Sequence, residues 1–179
     1  VLDGLDGTLY KSLDMGTTWS VHSTLPGDWP YTVNMARTGT NVIYVRAGSE
    51  NMLRSDDAGL TWVSMGNWSE DAYNRSMCVA PVQDRIYATD ASGKVYLSTS
   101  QGADFVEVGS WGTEGSTTGC VAGSNDLVVM MDAAYLLAPT WVSNDGGTTF
   151  EPRAVYGEAS GDNKVTAAID PEGILYAIA

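Results

Sequence analysis

The chain has 179 residues, of which 44% are hydrophobic, so it is long enough to enclose a sizeable core. Its 9 basic and 22 acidic residues give a formal net charge of −13, and no basic stripe gathers the few cations. This charge argues against nucleic acid and anionic membranes as partners, and no apolar run reaches the roughly 18 residues of a membrane-spanning helix.

The two ends of the sequence suggest a segment of a longer protein. The chain begins at Val1 without a basic and apolar signal segment, and it stops inside the apolar run of residues 173–179. We therefore expect further structure to come from the rest of the protein or from a second copy.

One eight-residue pattern, S-x-D-x-G-x-T-W, recurs along the chain and indicates an internal repeat. The four segments, called the repeat turns below, are residues 12–19, 55–62, 98–105 and 143–150. Their closing aromatic residues follow one another at steps of 43, 43 and 45 residues. The third copy is degenerate, because Ser100 replaces the aspartate and Asp104 replaces the threonine.

Short apolar runs between Gly-rich turns divide each repeat into four strands, A to D. In the second repeat we predict A near 32–37, B near 41–47, C near 51–56 and D near 60–65. Four strands in ~40–50 residues are typical of a β-propeller blade, so the predicted fold is all-β, one partial propeller domain. The predicted blades are residues 1–31, 32–76, 77–118 and 119–165, with 166–179 starting a further blade.

The repeat turns resemble the Asp box, or BNR repeat, of sialidases, xyloglucan-degrading endoglucanases, sortilin-type receptors and some photosystem assembly factors. The resemblance covers essentially the whole chain and implies antiparallel four-stranded blades with Asp boxes at the C–D hairpins. It implies no single activity, because these families share little chemistry. The sialidase version fits poorly, because we find no arginine triad at the predicted mouth of the propeller.

The Asp-box residues are predicted to be structural. The aspartates accept backbone hydrogen bonds inside the turn, the glycines take a positive φ, and the aromatic residues pack between neighbouring sheets. The third turn should be the least rigid, because a hydroxyl imitates the aspartate more weakly. The residues concerned are Ser12, Asp14, Gly16, Trp19, Ser55, Asp57, Gly59, Trp62, Ser98, Gly102, Phe105, Ser143, Asp145, Gly147 and Phe150.

The D-to-A connections are the longest loops and, with the B–C loops, should form one face of the propeller. Aromatic rings can stack on sugars there while carboxylates accept hydroxyl hydrogen bonds, although packing over the blade core is the alternative for each ring. The predicted ligand-binding residues are Trp29, Tyr31, Trp68, Tyr73, Trp111 and Tyr156. The candidate catalytic carboxylates are Glu70, Asp71 and Glu114, and His22 is a further candidate base.

Cys78 and Cys120 fall at the same place in successive repeats. We expect buried free thiols, because neighbouring blades should hold the two residues too far apart to be bridged, with a cross-blade disulfide as the alternative. No metal-ligand spacing or cofactor motif is present, so we expect neither a metal nor a cofactor.

Two classes of function follow. The favoured one is a non-catalytic binding or structural module of a larger extracellular, cell-surface or virion-associated protein, recognising glycan or protein through the D-to-A face. The alternative is a fragment of a glycoside hydrolase of the xyloglucanase type that uses loop carboxylates as acid and base.

Overall fold

A computed structural model gives the fold. It describes residues 6–26, 36–38, 41–47, 51–66, 68, 74–80, 85–111, 117–123, 126–132, 140–153, 166–169 and 174–178. Within these ranges the regular structure consists of β-strands alone, paired as antiparallel sheets. The chain divides into two compact units, residues 1–67 and 68–179.

The first unit holds a two-stranded and a four-stranded sheet. The pair is formed by β1 (Thr8–Lys11) and β2 (Ser20–Thr24). The four-stranded sheet has the order β3-β4-β5-β6. Its strands are β3 (Ala36–Thr38), β4 (Val42–Ala47), β5 (Asn51–Ser55) and β6 (Val63–Gly66).

The second unit holds two four-stranded sheets and a two-stranded one, each with neighbouring strands in chain order. The first sheet consists of β7 (Asn74–Ala80), β8 (Arg85–Asp90), β9 (Lys94–Ser98) and β10 (Val106–Ser110). The second consists of β11 (Thr117–Ala122), β12 (Val128–Asp132), β13 (Thr140–Ser143) and β14 (Glu151–Pro152). The pair is β15 (Thr166–Ile169) with β16 (Leu175–Ile178).

Hydrogen bonds between loops show which turns share an end of a sheet. Gly146, in the fourth repeat turn, donates its backbone N–H to the carbonyl of Asp126 in the A–B turn at 3.0 Å. At the opposite end, Trp111 after strand D donates to the carbonyl of Gly93 in the B–C loop at 3.1 Å. The predicted pairing of loops is therefore found in the second unit.

Each unit encloses its own apolar cluster. In the first unit Leu25, Val45 and Leu53 are buried together, with Ile43 and Trp62 packed against them. In the second unit one cluster has the buried members Cys78, Ala80, Tyr87, Val95, Trp111, Ala122, Val128 and Met130. Members of this cluster on one strand are two residues apart, as are Val128 and Met130 of β12, so they lie on one face of the sheet.

The expectation of free thiols is wrong. Cys78 on β7 and Cys120 on β11 are joined by a disulfide, and their Cα atoms are 5.4 Å apart. The reason is geometric: β11 contacts both β7 and β15, so the first strands of successive sheets lie side by side. At this position the equivalent residues of β7 and β11 lie within the span that a disulfide bridges.

Candidate functional site

The repeat turns are organised around the aspartate side chain. In the first turn Asp14 Oδ1 accepts a hydrogen bond from Thr18 N at 2.9 Å and one from Ser12 Oγ at 2.8 Å. Asp14 Oδ2 accepts from Thr18 Oγ1 at 2.6 Å. Asp57 and Asp145 make the same set of bonds in the second and fourth turns. Both carboxylate oxygens are therefore used by the turn itself.

The serine that begins each of the four repeat turns has an equally specific role. Its hydroxyl oxygen accepts the backbone N–H of the glycine four residues later, at 2.7 Å in the second turn and 2.8 Å in the fourth. That glycine is left-handed in all four turns, with φ between 85° and 92°. The residue before it is left-handed as well, for example Met15 at 56° and Ala58 at 61°, which the sequence analysis did not foresee.

Hydrogen bonding holds these aspartates in the ionised form. The main cause is the hydrogen bond from the hydroxyl of the threonine four residues later, which lowers the pKa of Asp14, Asp57 and Asp145 from 3.8 to about 2. A carboxylate with such a low pKa is a poor proton donor or acceptor near neutral pH. The geometry thus accords with a structural role for the three residues.

The degenerate third turn keeps the fold of the others with fewer bonds. Ser100 Oγ accepts the backbone N–H of Asp104 at 2.9 Å, in the place that the aspartate Oδ1 occupies elsewhere. Ser98 Oγ still accepts from Gly102 N at 2.9 Å. The bond from a threonine hydroxyl to a second carboxylate oxygen has no counterpart, because neither of those two groups is present.

The closing aromatic residues differ in their packing. Trp62 and Phe150 pack against the apolar clusters of their units, and the ring centroid of Phe105 lies 6.2 Å from that of Trp68. Trp19 is instead 49% exposed, and its indole nitrogen donates to the carbonyl of Gly16 at 3.0 Å. Packing against an apolar cluster is thus observed for Trp62 and Phe150 but not for Trp19, whereas Phe105 contacts Trp68, whose indole bonds to the same sheet.

Trp68 and Trp111, two of the predicted ligand-binding residues, are buried at 3% and 1% exposure. The indole of Trp68 donates to the carbonyl oxygen of Thr89 at 3.0 Å. The indole nitrogen of Trp111 is buried without a hydrogen-bond partner among the described residues. Neither ring offers a face to a sugar, so the packing alternative accounts for both.

A signal for this burial was present in the sequence. Leu25, Trp68 and Trp111 each stand six residues after the closing aromatic of a repeat turn, and all three are buried. A position that holds leucine in one repeat and tryptophan in two others is typical of a core site. Tyr156 stands at the same spacing after Phe150 and lies outside the described residues.

The other predicted site residues of the D-to-A connections also lie outside the described part of the chain. They are Trp29, Tyr31, Tyr73, Glu70, Asp71 and Glu114. His22 is described, and it lies on strand β2 rather than in a D-to-A connection. Its Nε2 is 3.0 Å from the carbonyl oxygen of Ala58, within the first unit.

An acidic residue that the sequence analysis had not singled out stabilises the B–C loop. Asp90 is fully buried, and its Oδ1 accepts from Ser92 N at 2.9 Å and Lys94 N at 3.1 Å. Its Oδ2 accepts from the hydroxyl of Tyr96 at 2.8 Å. The Asp-x-x-Gly order of the loop, with Gly93 at φ 80°, was the available signal for a side-chain-bonded turn.

The part of the chain that the structure describes holds neither a metal-binding cluster nor a membrane-spanning helix. No group of three or more His, Cys, Asp and Glu side chains in those ranges could hold a metal ion. In the same ranges, no helix is long and apolar enough to cross a membrane.

Similarity to solved structures identifies the class of fold. The chain is similar to YCF48 bound to a D1 peptide, with 17% identity, a TM-score of 0.66, and coverage of 98% of this chain and 56% of that one. It is similar to YCF48 from Cyanidioschyzon merolae, with 15% identity, a TM-score of 0.55, and coverage of 82% and 48%. A third is the GH74 enzyme of Niastella koreensis, with 22% identity, a TM-score of 0.58, and coverage of 82% and 21%.

These neighbours are β-propeller proteins, and the likeness establishes a β-propeller fold for the chain. The chain spans about half the length of the two YCF48 structures and about a fifth of the GH74 enzyme. No family model matches the chain, and no curated protein matches it in sequence.

Proposed function

We propose that the chain is a non-catalytic binding module of the Asp-box type, and that it recognises a protein partner through the D-to-A face of its propeller. The observation that carries this proposal is that the described side chains at the base of that face, where the connections join the sheets, all make contacts within the protein. Trp68 and Trp111 are buried, and the carboxylate of Asp90 is bonded to its own loop. Recognition is therefore left to the connections above this base.

The Asp-box assignment is supported by the turns themselves. Three turns share one set of bonds among serine, aspartate and threonine, and a fourth retains the serine–glycine part of it. Turns held by their own side chains stabilise the opposite end of each sheet. Loop variation on the D-to-A face then alters the binding surface without altering the sheets.

A protein is the favoured partner, and a glycan is the other outcome of the test. A sugar-binding groove needs exposed ring faces, and the two tryptophans in the described part of this face are not exposed. YCF48 was solved with a D1 peptide, which is a precedent for peptide binding by a propeller of this shape.

The disulfide supports a location outside the reducing cytosol. Disulfides persist in oxidising compartments, and the Cys78–Cys120 bond joins two strands of the second unit. We propose that the parent protein is extracellular, on a cell surface or part of a virion.

The first test is the structure of the full parent protein, together with a screen of the chain against a phage-displayed peptide library and a glycan array. Replacing residues 112–115 by a Gly-Ser linker should abolish the selected binding. A matched replacement of residues 82–84, in an A–B turn, should leave it intact. Loss of binding only in the control variant would contradict recognition through the D-to-A face.

A glycoside hydrolase is the second candidate, favoured by the similarity to a GH74 enzyme. It predicts hydrolysis of a β-glucan panel that is lost on Glu70→Gln, Asp71→Asn or Glu114→Gln. Turnover that depends on one of these carboxylates would overturn the non-catalytic proposal.

A further inference from the structure

The first unit contains a cleft that lies apart from the D-to-A face. Its volume is about 310 Å³, and it is open to solvent. The cleft lies at the end of the sheets where the repeat turns and A–B turns are found. The lining residues are Leu9, Tyr10, Lys11, His22, Asn41, Ile43 and Ala58.

The walls of this cleft are apolar, because Leu9, Ile43 and Ala58 contribute hydrocarbon surface. Mostly apolar walls with a few convergent polar groups, at a volume near 300 Å³, are typical of a small-ligand site. The same walls would not hold a strongly hydrated ion by itself.

The charged group at the cleft is a cation. Lys11 lines the cleft and makes no ion pair with any residue in the described ranges. Among the described lining residues none is acidic, although the whole chain carries a net charge of −13. The cleft therefore combines apolar walls with an unpaired positive charge, in a protein whose overall field is negative.

His22 forms part of the wall in a fixed orientation. Its Nε2 is 3.0 Å from the carbonyl oxygen of Ala58, and a carbonyl can only accept, so Nε2 carries a hydrogen. Nδ1 is then the ring nitrogen left for a ligand. The neighbouring Ser23 hydroxyl bonds to the carbonyl of Gly59, so two consecutive side chains of β2 hold the second repeat turn against this wall.

From this combination we infer that the cleft binds a small monocarboxylate with an apolar body, the carboxylate paired with Lys11 and the body packed on Leu9 and Ile43. The inference is independent of the proposed D-to-A site, because the lining residues lie on β1, β2 and β4 and in two turns, and His22, which the sequence placed in a D-to-A connection, is on strand β2. A charge-assisted bond supplies specificity for the anion, and burial of the apolar body supplies affinity.

The test uses the single histidine of the chain as a reporter. The imidazole C–H signals of His22 are recorded by NMR during titration with octanoate and with phenylacetate at constant pH. The neutral analogues octanamide and phenylacetamide serve as ligand controls. We expect saturable shifts of the His22 signals with both carboxylates, and at least fivefold weaker binding of the amides, as loss of a charged hydrogen bond predicts.

Variants separate the charge from the shape of the cleft. Lys11→Met keeps an unbranched stem and should weaken octanoate binding about five- to tenfold, whereas Lys11→Arg should restore it. Lys94→Met is the matched control, because Lys94 is paired with Glu107 at 3.1 Å and does not line the cleft. Both positions carry exposed or half-exposed side chains, so we expect all three variants to fold.

Three results would overturn the inference: no shift of the His22 signals, equal binding of amides and carboxylates, or equal weakening by Lys11→Met and Lys94→Met. Binding of a peptide with a free carboxyl terminus, with no binding of the free carboxylates, would also overturn it in favour of a docking site for a protein. Because the replacement of residues 112–115 tests the D-to-A connections and none of those residues lines the cleft, failure here leaves the proposed function standing.

Discussion

The Cα atoms of Cys78 and Cys120 are 5.4 Å apart, and the disulfide between them connects β7 to β11, the first strands of two successive sheets. The bond closes a loop with a sequence separation of 42 residues, which contains β8, β9 and β10. This covalent link stabilises the folded state, because it lowers the conformational entropy of the loop in the unfolded chain.

We predict that removing this disulfide destabilises the second unit. The double change Cys78→Ser and Cys120→Ser should lower the free energy of unfolding by about 2 to 4 kcal/mol, as expected for a loop of this length. Urea denaturation followed by tryptophan fluorescence measures the change. Reductant should destabilise the native chain but leave the double variant unaffected. Detection of two free thiols in the native, non-reduced protein would contradict the prediction.

The two buried tryptophans provide a matched pair of substitutions. Trp68→Phe removes the indole hydrogen bond to Thr89 and a buried volume, whereas Trp111→Phe removes a similar volume and an indole N–H without a described partner. We expect Trp68→Phe to cost about 1 to 2 kcal/mol more than Trp111→Phe, because only the first change leaves a former acceptor unmatched. Thermal denaturation of the two variants compares them, and an equal loss would show that the Trp68 hydrogen bond adds no stability.

The turn aspartates predict a specific acid response. The pKa of Asp145 is about 2 in the folded chain, below its ordinary 3.8, so the turn's contribution is complete above pH 3.8 and is lost as the pH falls towards 2. Carboxyl-carbon NMR should report midpoints near 2 for Asp14, Asp57 and Asp145. Thr149→Val should raise the midpoint of Asp145 alone, since the threonine hydroxyl is the main cause of its low pKa. A midpoint that does not move would rule out that cause.

The sequence predicted correctly those features that depend on residues within a single repeat. Four copies of a pattern at steps of 43, 43 and 45 residues predicted the antiparallel sheets, the aspartate bonds and the left-handed glycines, because each depends on residues close in the chain. The disulfide depends on how sheets converge, and no local pattern encodes that distance. For this reason the spacing of Cys78 and Cys120 pointed to free thiols.

The candidate site was harder to predict than the fold. The sequence pattern of an aromatic residue in a loop is the same whether the ring contacts a ligand or covers the core. Comparison of equivalent positions resolves this for Trp68 and Trp111, because Leu25 takes the same place in the first repeat and is buried too. The cleft beside Lys11 has no sequence signal, since its walls come from separate strands and turns.

The third repeat turn offers a test by gain of structure. Its main chain already has the shape of the others, with Gly102 at φ 90°, but Ser100 and Asp104 cannot form the carboxylate–threonine bonds. We predict that the amide of Asp104 exchanges with solvent faster than those of Thr18, Thr61 and Thr149, which bond to a carboxylate. The double change Ser100→Asp and Asp104→Thr should slow exchange at position 104 on the order of tenfold, because a charge-assisted acceptor replaces a hydroxyl.

Ser100→Asp alone is the control, since it places a new carboxylate beside that of Asp104 without a threonine hydroxyl to bond it. Hydrogen-exchange NMR reads all four turns in one experiment, and equal protection across them in the unchanged chain would refute the premise that hydroxyl-for-carboxylate replacement weakens the turn.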